Sequence, residues 1–178
     1  MGQYLDMMLM GAKRARLYSE KLLVGIKPEQ AARKPHFETD GAALEVDTNH
    51  PVFIYGHLSL YPARIMKLAG LDGSALAPPA EWEAVFKAGA PCLDDPDGKV
   101  YPGLDAIAAC YFSATDGALA ALAKLDDKTL LTPTPDERFR ERFALTGGAV
   151  NFMLNNHVMM HLGQVSVWRR CFGLPSAM

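Results

Sequence analysis

Apolar and small residues recur at intervals of three and four along four long stretches of the chain. This spacing is typical of helices that bury one face. The first stretch predicts a helix from about Gln3 to Ile26. The second predicts a helix that opens at Asn49-His50-Pro51 and runs to about Ala69, because proline suits a first helical turn and Gly70 suits a C-terminal cap.

The second half of the chain carries the other two predicted helices. One runs from about Leu104 to Leu125, and its inner face includes Tyr111. The last runs from Thr146, a good N-terminal cap, to Phe172, where Gly173 and the following residues stop it.

The segments between these helices are less regular. Residues 35–49 are polar and predict an irregular stretch. Residues 71–102 form a long connection rich in glycine and proline, with a short helix from Glu81 to Lys87. Connections of this length are often lids or crossovers. Residues 126–136 form a second linker, and 138–145 are ambiguous between a strand and an early helix.

Helices of roughly 20–27 residues span about 30–40 Å each, which is the length used in four-helix bundles. Strands do not alternate with helices in the pattern, so a parallel sheet is not expected. The sequence therefore predicts an all-α protein, a four-helix bundle with one long connection between helices two and three. At 178 residues, we expect a single domain spanning residues 1–178.

Charge and composition narrow the function classes. The chain has 18 basic and 20 acidic residues, which argues against a nucleic-acid binder that depends on excess positive charge. No apolar run approaches the ~18 residues of a membrane span, and the first residues lack the order of a signal peptide. Three cysteines without a C-x-x-C spacing favour a reducing, cytoplasmic setting.

Histidines interrupt the apolar faces of helices two and four. His157 and His161 are four residues apart, which places both imidazoles on one face of the last helix. His57 interrupts the apolar stripe of helix two in the same way. Three inward imidazoles could bind one divalent ion and leave positions open for water or substrate. The alternative is that they are ordinary core histidines, whose polar atoms would need partners.

Three imidazoles suit several first-row metals, with zinc or nickel ranked first and iron, manganese or copper as alternatives. Such an ion could activate water, which gives a hydrolase, or a thiolate, which gives a thiol transferase. His50 lies about 10 Å from His57 along a helix axis, too far to share an ion. We therefore assign His50 to the start of helix two.

Four other side chains are candidates for supporting roles. Gln164 could orient a ligand or a bound water, or make a helix–helix hydrogen bond. Arg64 could bind an anionic group of the substrate or form a salt bridge. Tyr61 and Tyr111 are candidates for substrate contact, with core packing as the alternative. Acidic residues are scarce on the inward faces, so no general base stands out.

The order of these motifs resembles the DinB/YfiT-like superfamily. The resemblance rests on Gly56-His57-Leu58 and on the block from His157 to Gln164, and it covers nearly the whole chain. It implies a bundle in up-down-down-up order with one divalent metal held by His57, His157 and His161. It also implies a homodimer and a metal-dependent reaction on a small molecule, either hydrolysis or transfer to a low-molecular-weight thiol.

Two other function classes stay open on the sequence alone. One is a metal-binding or stress-response bundle without catalysis, and the other is an interaction module whose histidines are core residues. An open coordination position with access to solvent would favour an enzyme. A fourth protein ligand or a sealed site would favour a structural role.

Overall fold

The computed structural model describes residues 2–177 and is mostly helical, as the sequence predicts. Its α-helices are α1 Gln3–Leu23, α2 Pro51–Ser59, α3 Tyr61–Leu68, α4 Trp82–Phe86, α5 Leu104–Leu122, α6 Asp127–Leu130, α7 Glu137–Arg140, α8 Thr146–Asn151 and α9 His157–Cys171. Two short strands, β1 His36–Thr39 and β2 Ala42–Glu45, form a hairpin. None of the helices in this described part is long and apolar enough to cross a membrane.

The long helical segments pack around one hydrophobic core. Helix α2 contacts α4, α5 and α9, while α1 contacts α5 and α9, and α3 contacts α5 and α8. The largest fully buried side chains include Trp168, Tyr55 and Tyr111, one from each of three different segments. The up-down-down-up order of the helices stays a prediction.

The prediction of one continuous second helix is wrong, because the segment breaks into α2 and α3 at Leu60. The cause is Pro62, which has no N–H to donate to Leu58 and whose ring crowds that carbonyl. The backbone tightens there, and the amide of Leu60 donates to the carbonyl oxygen of His57 at 3.1 Å. His57 therefore lies in the last turn of a short, fully buried helix.

The irregular stretch expected at residues 35–49 is also wrong in part. It contains the antiparallel pair of β1 and β2, in which Thr39 faces Ala42 across a two-residue turn. Asp40 and Gly41 both have positive φ, as a tight hairpin turn requires, and Asp-Gly is a strong sequence signal for such a turn.

The last predicted helix is continuous from Thr146 to Cys171 but changes its winding in the middle. Residues Phe152–Asn156 form a π-helical segment between α8 and α9. The predicted cap at Thr146 is wrong, since Leu145 occupies the cap position and makes no side-chain cap bond. The Thr146 hydroxyl instead lies 3.1 Å from that of Thr132, in the preceding linker.

The long connection at residues 71–102 contains the predicted short helix, observed as α4. Its later part is held by Asp95, whose buried carboxylate accepts the backbone amides of Lys99, Val100 and Tyr101. The ambiguous residues 138–145 contain part of α7 and end at a single bridge between Pro133 and Leu145.

Arg169 joins the end of α1 to α9. Arg169 is 3% exposed, and its guanidinium donates to the carbonyl oxygens of Leu22 at 2.8 Å and Val24 at 2.7 Å. It also donates to the carbonyl oxygen of Pro175 at 3.0 Å. A cation at the C-terminal end of a helix satisfies unpaired carbonyls and opposes the negative end of the helix dipole. Arg169 is therefore a structural clamp.

Candidate metal centre

His57 is held by a backbone carbonyl from the long connection. The ring is buried, and its Nδ1 lies 2.7 Å from the carbonyl oxygen of Phe86, the last residue of α4. A carbonyl oxygen can only accept, so Nδ1 carries the proton. In the neutral ring, Nε2 therefore presents its lone pair.

His161 is held in the same way by a side-chain amide. Its Nδ1 lies 3.0 Å from Oε1 of Gln164. That oxygen also accepts from Nδ2 of Asn49 at 3.3 Å, which fixes the orientation of the amide. Nδ1 of His161 therefore donates, and its Nε2 also presents a lone pair. Such outer partners orient the histidines that ligate metals in proteins.

His157 lies between these two rings. Its Nε2 is 3.3 Å from Nε2 of His57 and 3.1 Å from Nε2 of His161. One proton on His157 Nε2 can be donated to only one neighbour, so at least one lone pair is left facing the others. Its Nδ1 is buried and has no hydrogen-bond partner among residues 2–177.

The arrangement fits a bound cation better than a protein hydrogen-bond network. All three ligand atoms lie within 4.8 Å of one another. Two nitrogens that bind one tetrahedral zinc ion at about 2.0–2.1 Å are themselves about 3.3–3.4 Å apart. The distance from His157 to His57 equals this separation, and that to His161 is slightly shorter. The cluster is therefore compatible with metal binding.

The electrostatics keep the three rings neutral. Burial, and to a smaller extent the neighbouring rings of His161 and His57, lower the pKa of His157 to about 3. Burial also lowers the pKa of His57 and of His161, against the opposing effect of their hydrogen bonds. Neutral imidazole is the form that binds metals, so the site needs no deprotonation at neutral pH.

The π-helical segment sets the direction of the histidine pair. The amide of His157 donates to the carbonyl of Phe152, five residues earlier, where an α-helix would use the residue four earlier. One extra residue in the turn rotates everything that follows by about 100° around the axis. His157 and His161 consequently face His57.

The three rings border a cavity of about 250 Å³. The same cavity is bordered by Asn49, Phe53, Tyr61 and residues 87–90. His161 is only half-buried. Within residues 2–177, no further histidine, cysteine, aspartate or glutamate joins the cluster. The histidines therefore lie beside an accessible space and not in a sealed four-ligand cage.

The other predicted site residues occupy different places. Tyr61 lies in the site, with its ring centroid 4.3 Å from that of His157. Arg64 lies nearby but pairs with both carboxylate oxygens of Glu83, at 2.6 and 2.7 Å, which is the salt-bridge alternative of the sequence analysis. Tyr111 does not border the cavity and packs in the core against Tyr55.

Sequence reasoning missed two groups that orient the rings. The Phe86 carbonyl carries no sequence signal, because any residue at that position offers the same atom. Asn49 lies directly before the cap of α2, and only the fold brings it to Gln164. The assignment of His50 to the helix start is confirmed, since its Nδ1 accepts the Phe53 amide at 3.1 Å as the N-terminal cap.

Replacing Gln164 by leucine should weaken metal binding by about 10–100-fold, the usual effect of losing an outer partner of a ligating histidine. The leucine removes the acceptor for His161 Nδ1 but preserves most of the volume. Gln164→Glu retains an oxygen acceptor and should retain affinity. Competition with a chromophoric chelator measures both variants, and equal weakening in the two would contradict an orienting role for the acceptor.

His50 should make the protein less stable in mild acid. Burial lowers its pKa to about 4, while the unfolded chain has a value of about 6.5. The unfolded state thus binds more protons between these values, and the free energy of unfolding falls as pH falls through that window.

His50→Asn retains a cap acceptor without titrating. Between pH 7 and pH 5, the variant should lose about 2 kcal/mol less unfolding free energy than the unmodified chain. Urea unfolding with a chelator present measures this difference. Identical pH dependence in the two proteins would show that His50 titrates normally in the folded state.

Comparison with known proteins gives one match. The family model of the DinB superfamily matches residues 12–165, a range that includes all three histidines. No curated protein and no solved structure matches the chain.

Proposed function

The chain belongs to the DinB superfamily, and from this premise we propose that it is a metal-dependent enzyme that acts on a small molecule. In this proposal His57, His157 and His161 hold one divalent ion. Zinc or nickel ranks first, and iron, manganese or copper also suit imidazole-containing sites.

One observation carries the proposal. Three imidazole nitrogens converge beside a cavity that is open to solvent, without a fourth ligand among the described residues. Catalytic metal sites retain open positions for water or substrate, whereas structural sites are closed by a fourth protein ligand. The geometry therefore favours an enzyme over a bundle that only stores metal.

A divalent ion held by these histidines would supply Lewis acidity, which suits either hydrolysis or thiol transfer. The chain itself orients the ligands through Phe86 and Gln164. Burial raises the pKa of Tyr61, so its hydroxyl holds its proton and can donate a hydrogen bond to substrate. Phe53 and Tyr61 border the cavity and offer aromatic surface against which an apolar part of a substrate can pack.

The remaining features of the proposal come from the family resemblance. They are the up-down-down-up order of the bundle, a homodimer and a low-molecular-weight thiol as one reactant. The cytoplasmic location in the proposal comes instead from the three cysteines without a C-x-x-C spacing. Nucleic acid and membrane partners are not part of the proposal, because the formal net charge is only −2.

An activity screen tests the reaction. Protein purified without a histidine tag is supplied with each metal in turn, then assayed with several low-molecular-weight thiols plus electrophilic acceptors and with ester and amide substrates. We expect turnover in one of these groups and its loss in His161→Ala. Tight metal binding without turnover in any group would favour the non-catalytic alternative.

A further inference from the structure

A second and larger cavity lies beside the histidines. It shares Tyr61 and Ala88 with the cavity next to the three rings. Its volume is about 700 Å³, within the range of about 300–1,000 Å³ for small-molecule sites. Because the two spaces meet at shared walls, one molecule could lie in the larger cavity and reach the histidines with one end.

Much of this cavity wall is apolar. Leu68, Phe139 and Met153 border it, and they come from α3, α7 and the π-helical segment respectively. None of the three is fully exposed. A wall built by three separate elements would bury the apolar body of a ligand from several sides, which is the main source of affinity in such pockets.

The charged side chains around the two cavities include two lysines without a carboxylate partner among the described residues. Arg64 and Asp136 both border the larger cavity and carry opposite charges. Arg64 is paired with Glu83, and the carboxylate of Asp136 is held by two backbone amides at the start of α7. Lys67 borders the larger cavity and Lys87 borders the smaller one. Within residues 2–177, neither has a carboxylate oxygen within 4.0 Å.

We propose that the larger cavity is the substrate-body site and that the substrate is an organic carboxylate with an apolar body. This inference rests on the proposed function, because it assigns the reacting end of the molecule to the histidines. Lys67 pairs with the carboxylate, and the wall formed by Leu68, Phe139 and Met153 covers the body. The cation makes the site selective for anions over neutral molecules of the same shape.

The test uses 4-phenylbutyrate as the probe and 4-phenylbutanol as its neutral counterpart. Titration of the metal-free protein, followed by NMR, should shift the amides of Leu68, Phe139 and Met153 in a saturable way. Loss of the charge-assisted contact should weaken binding at least about tenfold. We expect this loss when the unmodified protein binds 4-phenylbutanol, and also when Lys67→Glu binds 4-phenylbutyrate. Lys13→Glu makes the same charge change on α1, away from the cavity, and should bind like the unmodified protein.

A second measurement separates this inference from the proposed function. With Co²⁺ added, the probe protons should relax faster in the unmodified protein than in His157→Ala. If cobalt binds but neither the probe signals nor the cavity amides change, the substrate-body site is wrong and the metal centre stands. If cobalt does not bind, the proposed function fails, and the amide shifts of the metal-free protein alone decide the cavity assignment.

Equal affinity for the acid and the alcohol would overturn the assignment of an anionic substrate. Equal weakening in Lys67→Glu and Lys13→Glu would overturn the role of Lys67, because it would show a response to net charge and not to a local contact.

Discussion

His157→Ala is expected to abolish stoichiometric metal binding. Its Nε2 is the atom that lies near both other ligand atoms, at 3.3 Å from His57 and 3.1 Å from His161. The loss of an outer partner costs about 10–100-fold in affinity, so the loss of the central ligand should cost more than about 100-fold. Elemental analysis of untagged protein and a competition titration measure the change.

His36→Ala is the matched control for this experiment. His36 lies on β1 with an exposed side chain, away from the cluster, and its loss should leave the metal content unchanged. Circular dichroism of both variants checks that the helices persist. A full equivalent of tightly bound metal in folded His157→Ala would rule out the three-histidine centre.

The second large effect is expected at Arg169, where methionine should lower the free energy of unfolding by about 3–5 kcal/mol. Methionine fills similar space but leaves the carbonyls of Leu22, Val24 and Pro175 without their donor. The hydrogen bond to Leu22 is buried and those to Val24 and Pro175 are partly buried, and hydrogen bonds to charged groups contribute about 1.5–3 kcal/mol each. The loss of the cation also removes its favourable interaction with the end of α1.

Arg170→Met is the matched control, because Arg170 adjoins Arg169 in the same helix turn but is exposed. Within residues 2–177, its guanidinium hydrogen-bonds to Ser166 alone. Surface substitutions of this kind usually change stability by no more than about 0.5 kcal/mol. Urea denaturation compares the two. Similar, small losses in both variants would show that Arg169 is not a clamp.

The helices and the histidine cluster were accessible from sequence for one physical reason. Both depend on a periodic pattern, and His57, His157 and His161 all interrupt apolar stripes that must face the core. The break at Leu60 was also readable, because Pro62 lacks a donor, and the Asp40-Gly41 turn carried a recognised signal. The helix break and the hairpin turn do not follow from the spacing of apolar residues, because each depends on single residues within that pattern.

Other features could not be obtained in this way. The Phe86 carbonyl is a backbone atom, so residue identity does not reveal its contact with His57. Tyr111 and Tyr61 both lie on inward faces, and only the packing of the helices shows that Tyr61 borders the cavity while Tyr111 does not. The pairing of Arg64 with Glu83 depends on where the long connection places α4.

The π-helical turn at residues 152–156 makes the metal centre depend on chain length as well as on composition. Deleting one residue from this turn would restore regular α-winding and rotate His157 and His161 by about 100° around the helix axis. The sequence would still encode all three histidines. A relative can therefore retain every histidine and still lack the centre. Surveys of the superfamily should count the residues between the buried positions of α8 and the first histidine of α9. The same deletion would give a metal-free reference protein without altering any ligand.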